Sequence, residues 1–140
     1  MIATAPLAPM TAMVFLTFAV WCMLFIRRIP KLKSQPVPID AMRIRATRPM
    51  LSEPEMAAND NLMNLFELPV LFYALCLALA VTGFSGAFFT IGCWGYVALR
   101  AVHSVVHCTF NNVLLRFAAY VASTVLLFAL WVGFAVRLAA

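Results

Sequence analysis

Charge is scarce in this sequence. Only 11% of its 140 residues are charged and 65% are hydrophobic, whereas a soluble domain carries about 25% charged residues. Folding in water would expose wide apolar surfaces. The chain therefore reads as an integral membrane protein, and its length fits one compact all-helical unit. Cysteine pairs are missing too. Cys22, Cys76, Cys93 and Cys108 stand apart, with no Cys-x-x-Cys among them, each in or beside an apolar segment. They read as small buried hydrophobes rather than disulfides or zinc ligands. No basic side chain precedes the first apolar run. A secretory signal would carry one, so that run is expected to remain as a membrane span. Long repeats and low-complexity tracts are also absent.

The net charge of +5 is not a nucleic-acid signal, because seven of the ten Lys and Arg residues fall between Arg27 and Arg48. One basic loop beside a membrane reports topology first, with a site for anionic lipid as the less favoured alternative. Pro30, Pro36, Pro38 and Pro49 argue against continuous helix across residues 27–51. Around this loop the pattern predicts spans at residues 10–26, 62–82, 87–110 and 114–136. Ser52 and Glu55 form a capping-box pattern that starts the second helix near Glu53, ahead of its span, and Pro69 is expected to kink it. Gly83 to Gly86 make a tight, uncharged turn. The basic loop belongs in the cytoplasm, which puts both termini on the opposite side. The short first span and the lack of a targeting segment suit a bacterial inner membrane better than an organelle.

Polar residues recur at two places in this apolar background. Asp60, Asn64 and Glu67 fall within roughly 60° of one another on the second helix. Arg100, His103, His107 and Asn111 fall within roughly 80° on the third. The tight turn sets their relative height. A hairpin pivoting near Phe84 and Ser85 puts Glu67 level with Val102, between Arg100 and His103. Asn64 then lies level with Val105, and Asp60 with Thr109. Both stripes reach the same depth, near the cytoplasmic boundary, about 24 Å from the far turn for Glu67.

A charge in a span must be paired, hydrated or functional. The plainest reading is a buried Glu67–Arg100 ion pair, within the chain or across a subunit interface. One pair leaves the two histidines and three amides unexplained. That surplus suggests a hydrated cleft, open to the cytoplasm, where a ligand binds. His103-x-x-x-His107 has the spacing of helical metal ligands, with Asp60 and Glu67 available to complete a shell, although Arg100 competes for Glu67. A proton relay lacks a polar path on the first and fourth segments.

At these residues the sequence resembles the MAPEG family, the membrane-associated proteins in eicosanoid and glutathione metabolism. Asn64-Leu-Phe-Glu67-x-Pro69 on the second span and an Arg-containing polar stripe on the third carry the likeness. Length, four spans, a basic first loop and a tight far-side turn extend it over nearly the whole chain. The resemblance implies a four-helix membrane bundle assembled as a homotrimer, with glutathione bound between neighbouring subunits as co-substrate. It carries the ligand contacts to Asn64 and Glu67, with Asp60, His103, His107 and Asn111 around them. Arg100 or Arg116 would then bind a carboxylate or stabilise the thiolate, since a nearby cation raises the thiolate fraction. The chain departs from the pattern at three points. Asp60 stands where glutathione-using members have Arg, His103 and His107 stand where they have Tyr, and Arg116 comes two residues later than their arginine. Arg43, Arg45 or Arg48 is available to fold back as a substitute cation. The function implied is a glutathione-dependent transferase or peroxidase acting on an apolar small molecule. The alternative is a non-catalytic relative that binds a lipid or partner helix.

Overall fold

The computed structural model describes residues 4–34 and 52–140. The basic positions Arg43, Arg45 and Arg48 lie outside the described residues. Among the described residues five helices follow in order: α1 Leu7–Ser34, α2 Glu53–Leu65, α3 Leu68–Thr82, α4 Ala87–Cys108 and α5 Val113–Ala139. α2 and α3 together make one stretch, Glu53–Thr82, long and apolar enough to cross a membrane; α4, α5 and residues Leu7–Pro30 of α1 make the other three. The result is a four-helix membrane bundle.

Local chemistry sets the helix ends. α2 starts at a capping box, in which the Glu55 carboxylate accepts the Ser52 backbone N–H at 3.0 Å. α3 stops at Gly83, whose φ of 71° is left-handed, a conformation that glycine adopts without steric cost. α4 ends where Asn111 takes φ 47° and returns its N–H to the Val106 carbonyl at 2.8 Å. Asn112 then caps α5, its Oδ1 accepting the Leu115 N–H at 3.0 Å.

Two boundaries differ from the sequence expectation. α1 runs through Pro30 to Ser34 instead of ending at Ile26. A proline removes one helical hydrogen bond and crowds one carbonyl, which bends a helix without having to end it. The second break comes earlier than Pro69. α2 closes on a tight turn, Phe66 N–H to Met63 carbonyl at 2.9 Å, and α3 restarts with Glu67 as its N-cap. Pro69 has no N–H to offer the Leu65 carbonyl, so the ladder opens one turn upstream of the ring.

The core runs down the bundle axis through Met13, Leu65, Phe72, Leu75, Tyr96 and Leu127, all nearly or fully buried. Phe15, Val81, Ile91, Leu114 and Val132 stay exposed, which suits a surface in contact with lipid rather than water. The hairpin register agrees with the turn argument: Phe72 stacks on Tyr96 at 4.5 Å, and Asn61 meets Cys108 at 3.3 Å. α4 and α5 approach closely through glycine. A methyl added at Gly92 would come within 2.5 Å of Leu130, and one at Gly133 within 2.6 Å of Phe88. Small residues that let helices approach are the usual device where lipid removes the hydrophobic drive between them.

Candidate functional site

One end of the bundle holds a cleft of about 490 Å³ between α2, α4 and α5. Asp60 and Asn64 line it from α2, His103 and His107 from α4, and Arg116 and Tyr120 from α5. Asp60 and Asn64 are one turn apart on one face of α2, and His103 and His107 stand in the same relation on α4. The two imidazoles meet edge to face at 5.4 Å. His103 Nδ1 lies 2.8 Å from the Arg116 carbonyl oxygen. A carbonyl only accepts, so Nδ1 carries the proton, and in the neutral ring Nε2 presents its lone pair.

Arg100 lies one layer behind the cleft and is completely buried. Its Nε–H donates to the Tyr96 hydroxyl at 3.2 Å. Its guanidinium carbon sits 4.8 Å from the Tyr120 ring centre and 5.5 Å from that of Tyr96, within cation–π range of both. Among the described residues nothing satisfies Nη1 or Nη2. Among the described residues the unpartnered buried side-chain nitrogens and oxygens are these two, His103 Nε2, and both ring nitrogens of His107. All belong to one neighbourhood. Buried polar atoms almost always find a partner, so a cluster of orphans marks a place for a ligand or ordered water.

The family model described as the MAPEG family matches residues 6–136. The chain belongs to the MAPEG family. No curated protein and no solved structure matches it.

Within this MAPEG bundle the sequence-chosen residues divide into three groups. Asp60, Asn64, His103, His107 and Arg116 come together in the cleft. Arg100 supports it from behind Tyr120. Glu67 and Asn111 do not line it: both are exposed, and Asn111 accepts a hydrogen bond from Arg116 Nη1 at 2.7 Å. The Glu67–Arg100 pair does not form within the chain. The break between α2 and α3 carries Glu67 to the exposed N-cap of α3, while the two tyrosines hold the Arg100 guanidinium. Among the described residues no three His, Cys, Asp or Glu side chains gather to hold a metal. His103 also spends one nitrogen on the Arg116 carbonyl.

Three functional positions escaped the sequence reading. Tyr120 connects the cleft to Arg100, and its signal was its spacing of four from Arg116. Asn61 is fully buried and joins α2 to α4, receiving the Ser104 hydroxyl at 3.2 Å and donating to Cys108 Sγ. Arg27, read as part of a topology signal, donates to the Pro54 carbonyl at 2.9 Å and the Cys108 carbonyl at 2.7 Å. A cation at the C-terminus of α4 meets the negative end of that helix and satisfies a carbonyl left open by it.

Proposed function

We propose that this MAPEG protein binds glutathione in the cleft and delivers its thiolate to an apolar electrophile arriving from the lipid, as a transferase or peroxidase. The observation that carries the reading is the cluster of unpartnered buried donors and acceptors at one cleft, in a chain of this family. Glutathione offers an ammonium, two carboxylates, peptide groups and a thiol. Asp60 accepts from the ammonium, Asn64 bonds a peptide group, and Arg116 takes a carboxylate. Asp60 is therefore useful in the cleft even though it stands where other members carry arginine. Arg100, screened from water by Tyr120, adds positive potential that favours the thiolate. In the transfer reaction the thiol proton passes to a base in the cleft, the sulfur bonds to the electrophilic carbon, and the leaving group departs with its electron pair.

Glu67 completes the site in a homotrimer, where its exposed carboxylate meets ligand held by a neighbouring subunit. The cleft opens to the cytoplasm, with both chain termini across a bacterial inner membrane. The test is calorimetry with glutathione on the detergent-purified protein and on Glu67→Gln. Saturable binding that the variant loses supports the reading, and absence of binding at millimolar ligand refutes it.

A second reading rests on a different feature. An apolar groove of about 420 Å³ runs between α1 and the α2–α3 junction, lined by Phe18, Trp21, Leu62, Phe66 and Tyr73 among others. It suits an acyl chain, and a protein that bound only lipid there would be a non-catalytic relative. Co-purification of stoichiometric lipid with no glutathione binding favours it.

A further inference from the structure

We infer that His103 Nε2 is the base that takes the thiol proton and holds it until the sulfur has reacted. This inference rests on the glutathione reading above and names a step that reading leaves open: where the proton goes. Two arginines favour a thiolate but hold no proton-accepting atom, since a guanidinium stays charged throughout. The acceptor has to be another group at the same cleft.

His103 is prepared for that role by its surroundings. Its Nδ1–H is fixed to the Arg116 carbonyl at 2.8 Å, which holds the ring orientation and leaves the lone pair on Nε2. Nε2 is buried and has no partner among the described residues, although His103 lines the cleft. Orientation of one ring nitrogen by a hydrogen bond while the other stays open is the arrangement that general bases share. His107 has neither nitrogen bonded, so nothing selects its tautomer or aims its ring. The edge-to-face contact with His107 and the Tyr120 ring, at 5.4 and 5.8 Å, hold the His103 ring in place.

The charges around the ring are Arg100 and Arg116, which oppose an imidazolium, and Asp60 across the cleft, which favours one. His107 and Tyr120 are the other titratable side chains against the ring. A bound thiol alters the balance, because proton transfer from sulfur to Nε2 creates an anion beside the new cation. The S–H bond breaks, an N–H bond forms, and a thiolate–imidazolium pair remains with no proton lost to solvent. After sulfur attacks an activated double bond, the same proton is available to the carbanion. After a displacement, it leaves with the anionic leaving group.

The chain has two histidines, which makes a direct test practical. The full-length protein, labelled with nitrogen-15 at histidine and held in detergent, is titrated with glutathione and with S-methylglutathione. The second ligand lacks the thiol proton. His107→Gln assigns the remaining ring signals to His103. The expected result is that glutathione alone moves His103 Nε2 from the lone-pair to the N–H position, in step with an ultraviolet thiolate band. Identical His103 signals with the two ligands overturn the assignment while leaving glutathione binding intact. So does a thiolate band with Nε2 still unprotonated. If neither ligand binds saturably, the function proposed above falls, and the base falls with it.

Discussion

Replacing Arg100 by methionine should leave the empty protein about as stable and weaken its ligand. The guanidinium is completely buried, with both Nη atoms unpaired. Each buried unsatisfied polar group costs about 1–3 kcal/mol, so removing two returns about 2–6 kcal/mol. The substitution forfeits the bond to Tyr96, worth about 1 kcal/mol, and two desolvated ring contacts of about 1–2 kcal/mol each. The terms nearly cancel and leave the empty protein within about 3 kcal/mol of the parent, in line with buried ions that are replaced by apolar side chains. Affinity falls. The Tyr120 ring lies 4.8 Å from the guanidinium carbon, so an anion on the far side of that ring sits about 8 Å away. At an effective dielectric of about 20, that separation is worth about 2 kcal/mol, or roughly thirtyfold in affinity. Thermal unfolding in detergent measures the first effect, and calorimetry with glutathione the second. A variant that is less stable when empty and binds as tightly as the parent would make Arg100 a structural residue and refute the reasoning.

Other substitutions probe separate parts of the site. Asp60→Asn should weaken glutathione about tenfold but leave an analogue without the α-amino group unaffected, as a lost charge-assisted contact to the ammonium requires; competition calorimetry compares the two. Asn61→Ala should cost about 1–3 kcal/mol in unfolding free energy, because the Ser104 hydroxyl loses its acceptor in a buried place. Gly92→Val should cost about 1–3 kcal/mol, since Leu130 already fills the space a side chain needs; the unfolding midpoint reports both. Arg27→Met should free the carbonyls of Pro54 and Cys108 and lower stability by about 1–2 kcal/mol, with amide exchange accelerating at the C-terminal turn of α4.

The bundle was legible because its signals are additive. Four long apolar runs and a glycine turn specify the order of elements whatever the details of packing. The height of one helix against the next was legible for the same reason: a tight hairpin leaves little freedom, and Asn61 opposite Cys108 follows from counting. Azimuth was harder to read. The stripe of Asp60, Asn64 and Glu67 assumed one unbroken helix, and the turn at Phe66 removed Glu67 from it. Pro69 announced a disturbance, but where the ladder yields depends on which carbonyl loses its donor. Tyr120 was passed over because an aromatic residue in an apolar helix looks like any other core side chain until its neighbour is known to be a guanidinium. Arg27 shows the limit of reading charge by position. A residue counted as part of a loop turns out to lie in α1 and hold two other helices.

That clamp also bears on how the protein is made. The Cys108 carbonyl lies 81 residues after Arg27 in the chain. During synthesis the first span therefore enters the membrane with its terminal cation unlatched, and it stays so until the third span has been threaded and its last turn formed. The contact is available only to a chain whose hairpin has closed in the right register. Early insertion of the first helix leaves it free to pivot, and its orientation is fixed late by a bond to a distant part of the polypeptide. A nascent chain stalled before Cys108 emerges should hold its first span loosely; one released just after should hold it firmly.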